Sequence, residues 1–223
     1  GGDDISYVAT TDATGAYLIS NLPQGDYTVL VDSGTLPTGM QPTFDDDGIG
    51  TPHATALTLT SGEDNLVQDF GYNGTGSIGD FVWFDTNGDG VQDSGESGIP
   101  GATVQLTWPG EDGVLGGGDD EVFVVDTDSS GAYLFGGLPP GDYQVDIIGG
   151  LPTLAINTFD EDGGSDSSAV VSLADGETHL TTDFGYRGDA SIGDMVWWDI
   201  NGDGVLDVGE PGLPGVEVTL TFA

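Results

Sequence analysis

The sequence predicts an all-β protein made of tandem antiparallel β-sandwich modules with calcium-binding loops. Three observations carry that expectation. Apolar and polar residues alternate along most segments, with no convincing stripe of period 3.6. Turn-forming residues abound, with 40 glycines and 11 prolines in 223 residues. The acidic side chains are 31 Asp against 8 Glu, whereas an acidic helical protein would favour Glu, the better helix former.

The chain also repeats itself. Ser77-Ile78-Gly79-Asp80 recurs as Ser191-Ile192-Gly193-Asp194, and Asp69-Phe70-Gly71-Tyr72 as Asp183-Phe184-Gly185-Tyr186. Gly15-Ala16-Tyr17-Leu18 recurs as Gly131-Ala132-Tyr133-Leu134, so the repeat is about 115 residues, the size of a domain. In register, residues 75–188 form a complete module, residues 1–74 match only the rear of one, and residues 189–223 only the front. Gly1-Gly2-Asp3-Asp4 aligns with Gly117-Gly118-Asp119-Asp120, and Phe222 with Trp108. Two readings stay open: a segment of a longer array, or chains that complete one another head to tail by exchanging strands. Either way the expected object is a filament or stalk of repeated modules. The links Asn73-Gly74-Thr75 and Arg187-Gly188-Asp189 are short enough that neighbouring modules should abut.

Within the complete module the strands follow in order. Ile78–Phe84 is apolar on both faces and reads as a strand buried between layers. Val104, Leu106 and Trp108 alternate with polar residues, as do Val216, Val218, Leu220 and Phe222 in the third copy. Val122 and Val124 lead into a Ser-Ser-Gly turn, from which Tyr133–Phe135 is expected to return as the partner strand of a hairpin. Tyr143, Val145 and Ile147 alternate after a Leu-Pro-Pro-Gly turn. Ala169–Leu173 and Thr178–Tyr186 supply two more, giving about seven short strands, the pattern of a β-sandwich.

Composition excludes much chemistry. There is no cysteine, hence no disulfide or thiolate metal site, and Arg187 is the single basic residue against 39 acids. Without lysine there is no Schiff base, no P-loop and no lysine–asparagine isopeptide cross-link. A net charge of −38 repels nucleic acid and anionic membranes. The longest apolar run is a few residues, as in Phe81-Val82-Trp83-Phe84, too short for a membrane span or signal peptide in this segment.

The most specific chemical signal is Asp85-Thr86-Asn87-Gly88-Asp89-Gly90-Val91-Gln92-Asp93-Ser94-Gly95-Glu96. Oxygen donors at positions 1, 3, 5, 9 and 12, a glycine at 6 and a backbone carbonyl at 7 match the twelve-residue calcium loop. The candidate ligands are Asp85, Asn87, Asp89, Val91 (carbonyl), Asp93 and Glu96. Asp199, Asn201, Asp203, Val205, Asp207 and Glu210 repeat the set while the filler residues change. An all-oxygen, flexible site favours Ca²⁺ over Mg²⁺ or Zn²⁺. A helix–loop–helix is not expected, because the preceding segment is strand-like and Pro100 or Pro214 follows. Two less specific clusters are Asp45, Asp46 and Asp47 with their counterparts Asp160, Glu161 and Asp162, and Asp112 with Asp119 and Asp120. Three ions in each of two module equivalents would add +12, leaving a strongly acidic surface.

Together with Gly98-Ile99-Pro100-Gly101, Leu138-Pro139-Pro140-Gly141-Asp142-Tyr143 and the closing Asp183-Phe184-Gly185-Tyr186, these motifs resemble the calcium-binding B-repeat domains of serine-aspartate repeat surface proteins, within the wider set of collagen-adhesin B-type sandwiches. The resemblance covers the whole chain. It implies an immunoglobulin-like or prealbumin-like sandwich whose Ca²⁺ ions stiffen a secreted or surface-displayed stalk, with copies of itself as partners. Lacking lysine, the chain cannot form the isopeptide staple of collagen-adhesin-type pilins, so calcium is the expected constraint. Nothing points to an enzyme: His53 aligns with Ser168 and His179 with Asn65, so neither histidine recurs. The rival expectation is an adhesin module for a host, matrix or carbohydrate ligand, suggested by Arg187-Gly188-Asp189 and by Trp83, Trp197 and Trp198 as a sugar platform. Asn73-Gly74-Thr75 is also a glycosylation acceptor pattern.

Overall fold

A computed structural model describes residues 5–110 and 112–221, so the expectations for Gly1–Asp4 and Phe222 lie outside the described residues. The chain forms two compact units, residues 1–188 and 189–223. In the first unit the rear segment carries β1 (Gly25–Leu30), β2 (Gln41–Asp45), β3 (Ala54–Leu59) and β4 (Phe70–Asn73). The complete module carries β5 (Gly76–Phe84), β6 (Thr103–Trp108), β7 (Glu121–Asp126), β8 (Ala132–Leu138) and β9 (Gly141–Gly149). It ends with β10 (Ile156–Phe159), β11 (Ser168–Leu173), β12 (Thr178–His179) and β13 (Phe184–Arg187).

The module is a two-sheet sandwich. One sheet has the order β11-β9-β6-β7, and the other runs β10-β13-β5-β12 with β8 also on β5. Alternation explains the core. Val104 and Leu106 on β6, Tyr143 and Val145 on β9, and Ala169 and Val171 on β11 turn inward, every second residue. They meet Ile78 and Val82 of β5 and Phe184 and Tyr186 of β13 from the facing sheet. As its apolar character on both faces predicts, β5 is the central strand of its sheet.

Most ladders are antiparallel, but β13 and β12 pair with β5 in parallel, Phe184 opposite Val82 and Thr178 opposite Ser77. The chain therefore enters the module beside Gly76 and leaves it beside Phe84, at opposite poles of the sheet.

Two expectations are corrected. Strands β7 and β8 do not form a hairpin: the turn closes only at its tip, where Asp128 N donates to Ala132 O at 2.9 Å. Asp128 Oδ1 accepts from Ser130 N, Ser130 Oγ and Ala132 N and so shapes the turn, beyond which β7 pairs with β6 and β8 with β5 in the opposite sheet. The Thr178–Tyr186 segment is two strands rather than one. Its interruption coincides with Thr182, which is fully buried and whose carbonyl accepts from Tyr133 Oη.

The junction between rear segment and module is tight, as the short link predicts. Gly74 N donates to Gly137 O at 2.9 Å, and a Cβ at Gly74 would stand 2.0 Å from the Leu138 carbonyl carbon.

Rear and front segments use the strands of the module incompletely. β1 pairs β3 and β2 pairs β4, copying the pairs β9 with β11 and β10 with β13. Ala16–Leu22, the counterpart of β8, joins no ladder. In the second unit Ser191–Trp198 and Val216–Thr221, counterparts of β5 and β6, do not form strands, apart from a bridge between Trp197 and Gly212. A strand needs a partner for its N–H and C=O groups, so an alternating sequence stays irregular where the partner is missing.

Candidate metal centre

Residues 85–96 wrap around the Asp85 side chain, which is fully buried. Its Oδ1 accepts from Gly88 N at 2.7 Å and Asp89 N at 3.2 Å, and its Oδ2 from Gly90 N at 2.9 Å. Asn87 Oδ1 accepts from Asp89 N and Asp89 Oδ1 from Val91 N, both at 2.9 Å. Each oxygen donor at positions 1, 3 and 5 thus organises the next turn of backbone. Gly88 and Gly90 sit at φ 75° and 74°, a left-handed conformation that a side chain would strain.

Glu96 closes the loop, as position 12 should. Its Oε1 accepts from Thr86 N at 2.6 Å and its Oε2 from Asp93 N at 3.1 Å. Asn87 Nδ2 donates to both Asp89 and Asp93, at 3.0 and 2.9 Å. The Asn87 amide thus ties the Asp89 and Asp93 carboxylates together, while those of Asp85 and Glu96 are held by loop N–H groups. The hydrogen bonds hold the Glu96 carboxyl below its ordinary range, with the Asp93 N–H the leading cause. For Asp85 burial pushes upward, but Thr158 and the Gly90, Gly88 and Asp89 amides outweigh it. Both groups stay ionised, as cation ligands must. Arg187 lies along this loop, its Cδ 3.1 Å from where a Gly88 Cβ would stand.

Residues 199–210 fold the same way. Asp199 accepts from Gly202, Asp203 and Gly204, and Asn201 Nδ2 reaches Asp203 and Asp207. Glu210 accepts from Ile200 N and Asp207 N, and Val205 N donates to Asp203. The strands that flank the first loop are absent around the second, so the loop shape is encoded locally.

The other clusters divide. Asp160 is 1% exposed; its Oδ2 accepts from Asp166 N at 2.9 Å, while its Oδ1 is buried without a hydrogen-bond partner among the described residues. One carboxylate oxygen each of Asp160, Asp162 and Asp166 lies within 4.8 Å of the others. In the rear copy Asp45 is 3% exposed and both its oxygens are buried without such a partner. A buried carboxylate with no donor is costly unless a cation neutralises it. Asp46 and Asp47 are engaged instead by Gln68, and by Thr51 and Ala56 N. Asp166 was not legible as a ligand; its only signal is its place just beyond the Gly163-Gly164 turn. Asp112 and Asp119 flank Gly117, where a Cβ would stand 3.2 Å from an oxygen of each. Asp120 Oδ1 is buried without a hydrogen-bond partner among the described residues, and its Oδ2 accepts from Gly116 N.

Glu161 lies outside these groups. Its oxygens accept from Thr181 and Thr182 and approach His179 Nε2 at 2.8 Å, while Glu177 takes His179 Nδ1 at 3.2 Å. Burial opposes protonation of His179, but the bonds to Glu177 and Glu161 raise its pKa overall. Nearby, burial first and the Asp80 charge second push the Asp183 carboxyl up to about 6, against the Phe81 N–H that donates to it at 2.9 Å. A folded-state pKa above the unfolded value of about 3.9 means that the folded chain holds this proton longer. Stability from Asp183 is therefore greatest below about pH 4 and falls as pH rises toward 6. The His179 contribution is likewise present at low pH and lost as pH rises through its raised pKa. Urea midpoints of parent and Asp183→Asn chains, measured against pH in calcium-free buffer, should diverge between about pH 4 and 6, because only the parent loses the Asp183 contribution there.

Trp83 is 2% exposed and packs on Phe159 with ring centres 5.5 Å apart, so it is a core residue and no part of a sugar platform. Trp198 is exposed and Trp197 half-buried. No helix among the described residues is long and apolar enough to cross a membrane.

Residues 76–186 and 190–223 match the family model of the SdrD B-like domain. Serine-aspartate repeat-containing protein F of Staphylococcus epidermidis is 34% identical over 226 residues, covering 98% of this chain and 12% of that protein. Serine-aspartate repeat-containing protein D of Staphylococcus aureus (strain Newman) is 35% identical over 222 residues, covering 95% of this chain and 16% of that protein. The chain thus spans less than a fifth of the curated relatives it matches. Among solved structures, GBS52, the minor pilin of Streptococcus agalactiae, aligns with a TM-score of 0.37 at 18% identity, over 83% of this chain and 69% of that one. A streptococcal ancillary pilin aligns at 0.36 and 16%, over 77% and 44%. Scores this low add nothing to the sandwich already described.

Proposed function

Since the chain belongs to the SdrD B-like domain family, we propose that it is a non-catalytic structural repeat of a secreted or cell-surface stalk, stiffened by Ca²⁺. Its partners are copies of itself, as tandem modules or as chains joined head to tail. The observation that supports the calcium reading is the pair of loops at 85–96 and 199–210, which repeat the same donor spacing and the same hydrogen-bonded turn in two different surroundings. Asp85, Asn87, Asp89, Val91, Asp93 and Glu96 hold one ion, and Asp199, Asn201, Asp203, Val205, Asp207 and Glu210 another. The buried, unpartnered oxygens of Asp45 and Asp160 support a further site at each acidic turn, and the Asp112, Asp119 and Asp120 loop a third.

The mechanism is linkage. Ca²⁺ binds the folded loops and not the unfolded chain, so it adds stability that grows with the logarithm of its free concentration above the dissociation constant. Asp85 joins loop to sandwich, because its own N–H donates to Tyr186 O at 2.8 Å on the last strand of the module. An ion held there fixes the point where the chain leaves one module for the next.

Glu96→Gln tests the ligand assignment. It should weaken calcium affinity at one loop by at least tenfold and leave the Asp199–Glu210 loop unchanged, as read by titration calorimetry. Identical titrations of variant and parent would overturn the assignment.

A further inference from the structure

Strand β10 lies at the edge of its sheet and pairs with β13 alone among the described residues. Its ladder sets Ile156 opposite Arg187, Asn157 opposite Tyr186 and Phe159 opposite Gly185, so Thr158 is an extra residue that bulges out of register. The Asn157 side chain spans the bulge, its Nδ2 donating to Phe159 O at 2.9 Å and to Gly185 O at 3.2 Å. With so short a ladder and an irregular middle, the placement of β10 depends on what packs against it.

Two of the acidic sites meet at this bulge. The 85–96 loop starts from β5, on the far side of β13, and reaches β10 at Gly90, where a Cβ would stand 3.3 Å from Thr158 O and 4.0 Å from Phe159 Cβ. Gly90 N is itself the donor to Asp85 Oδ2. Against the upward push of burial, the Thr158 hydroxyl helps hold the Asp85 carboxyl below its ordinary range. On its other side the bulge runs through Phe159 straight into Asp160, whose buried Oδ1 lacks a hydrogen-bond partner among the described residues and whose Oδ2 accepts from Asp166 N. The turn that follows carries the chain to β11 in the facing sheet. The loop therefore fixes β10 from the β5 side, and the turn fixes it from the facing sheet.

We propose that the bulge at Thr158 couples these two sites, so that calcium held at either the Asp85–Glu96 loop or the Asp160–Asp166 turn raises the affinity of the other. This deepens the calcium reading above and rests on it. Donors bind an ion well only once they are held in place, and the ordering of β10 is common to both sites. The first ion brings that ordering about, and the second finds it done. Asn157 and Thr158 act as positioning residues: neither supplies a ligand, and together they set where Asp85 and Asp160 stand. Linkage makes the effect reciprocal, the same factor in both directions and about tenfold for a coupling of ordinary size. The edge of the module then closes over a narrow range of calcium, instead of in two separate steps.

The amide signals of Gly90 and Gly163 report the two sites separately when the full chain is titrated with calcium and followed by nuclear magnetic resonance. Asp162→Asn, at an exposed position of the turn, should raise the calcium midpoint read at Gly90 about tenfold. Glu96→Gln should raise the midpoint read at Gly163 by the same factor. Glu121→Gln removes one exposed charge from β7, in the facing sheet, and should move neither midpoint. Asn157→Ala takes away the bonds across the bulge and no ligand. In that background Asp162→Asn should shift Gly90 by about twofold or less. A Gly90 midpoint that Asp162→Asn leaves in place, while both sites fill in the parent, would overturn the coupling and leave the calcium reading standing. So would a Gly163 signal that calcium never moves. A coupling factor unchanged by Asn157→Ala would overturn the role of the bulge. A Gly90 signal indifferent to calcium would instead sink the calcium reading itself, and the coupling with it.

Discussion

Chelating calcium should lower the melting midpoint of the complete module by about 20 °C. At a free concentration one hundredfold above the dissociation constant, each bound ion adds about 2.7 kcal/mol to folding. For a domain near 110 residues, 1 kcal/mol moves the midpoint by about 4–8 °C. Two of the proposed ions in the module, at Asp85–Glu96 and at the Asp160 turn, already account for a drop of this size, and a third at the Asp112, Asp119 and Asp120 loop would enlarge it. The acidic surface acts in the same direction. Removing the ions restores the mutual repulsion of Asp85, Asp89, Asp93 and Glu96, and a net charge of −38 disfavours the compact state most at low ionic strength. Calorimetry in EDTA at 10 mM salt, repeated in excess calcium, measures the difference, and the same pair of conditions should change cleavage by an added protease. Coincident melting curves would remove calcium from the mechanism.

The second large effect is steric. A Cβ at Gly98 would stand 1.7 Å from the Ser130 carbonyl oxygen and 2.8 Å from the Gly131 Cα. Backbone has to move, and the movement falls where Gly98 bridges Trp83 and where Ile99 N donates to Val82 O at 2.8 Å. Gly98→Ala should therefore cost about 3 kcal/mol, the upper part of the range for overpacking, and lower the midpoint by about 15 °C. The equivalent Gly212 has only the end of the Met195 side chain within 3.0 Å, so Gly212→Ala should leave melting of the complete module unchanged. Thermal denaturation of the two variants side by side reads the contrast.

Much of this was legible in the sequence. Alternation at Val104, Leu106, Tyr143 and Val145 marked the inward face because β-strand side chains alternate by geometry. The loop at 85–96 was legible because its donors organise their own backbone, with neighbours no more than twelve residues apart. What the sequence did not reveal depends on distant partners. The crossing of β7 and β8 into different sheets is decided by β6 and β5, not by the Ser-Ser-Gly turn between them. Strand status at Ala16–Leu22 and Val216–Thr221 needs a neighbour that alternation cannot supply. Asp166 joins Asp160 and Asp162 only because its own N–H folds back onto Asp160.

The parallel alignment of β5 and β13 sets how such a stalk would bear load. A pull applied through the two ends of residues 76–187 draws these strands lengthwise past one another. The hydrogen bonds between them then share the force and must fail together, whereas a pull across a hairpin would peel them one at a time. A row of these modules would behave as a cable of shear clamps, giving way in discrete steps of one module.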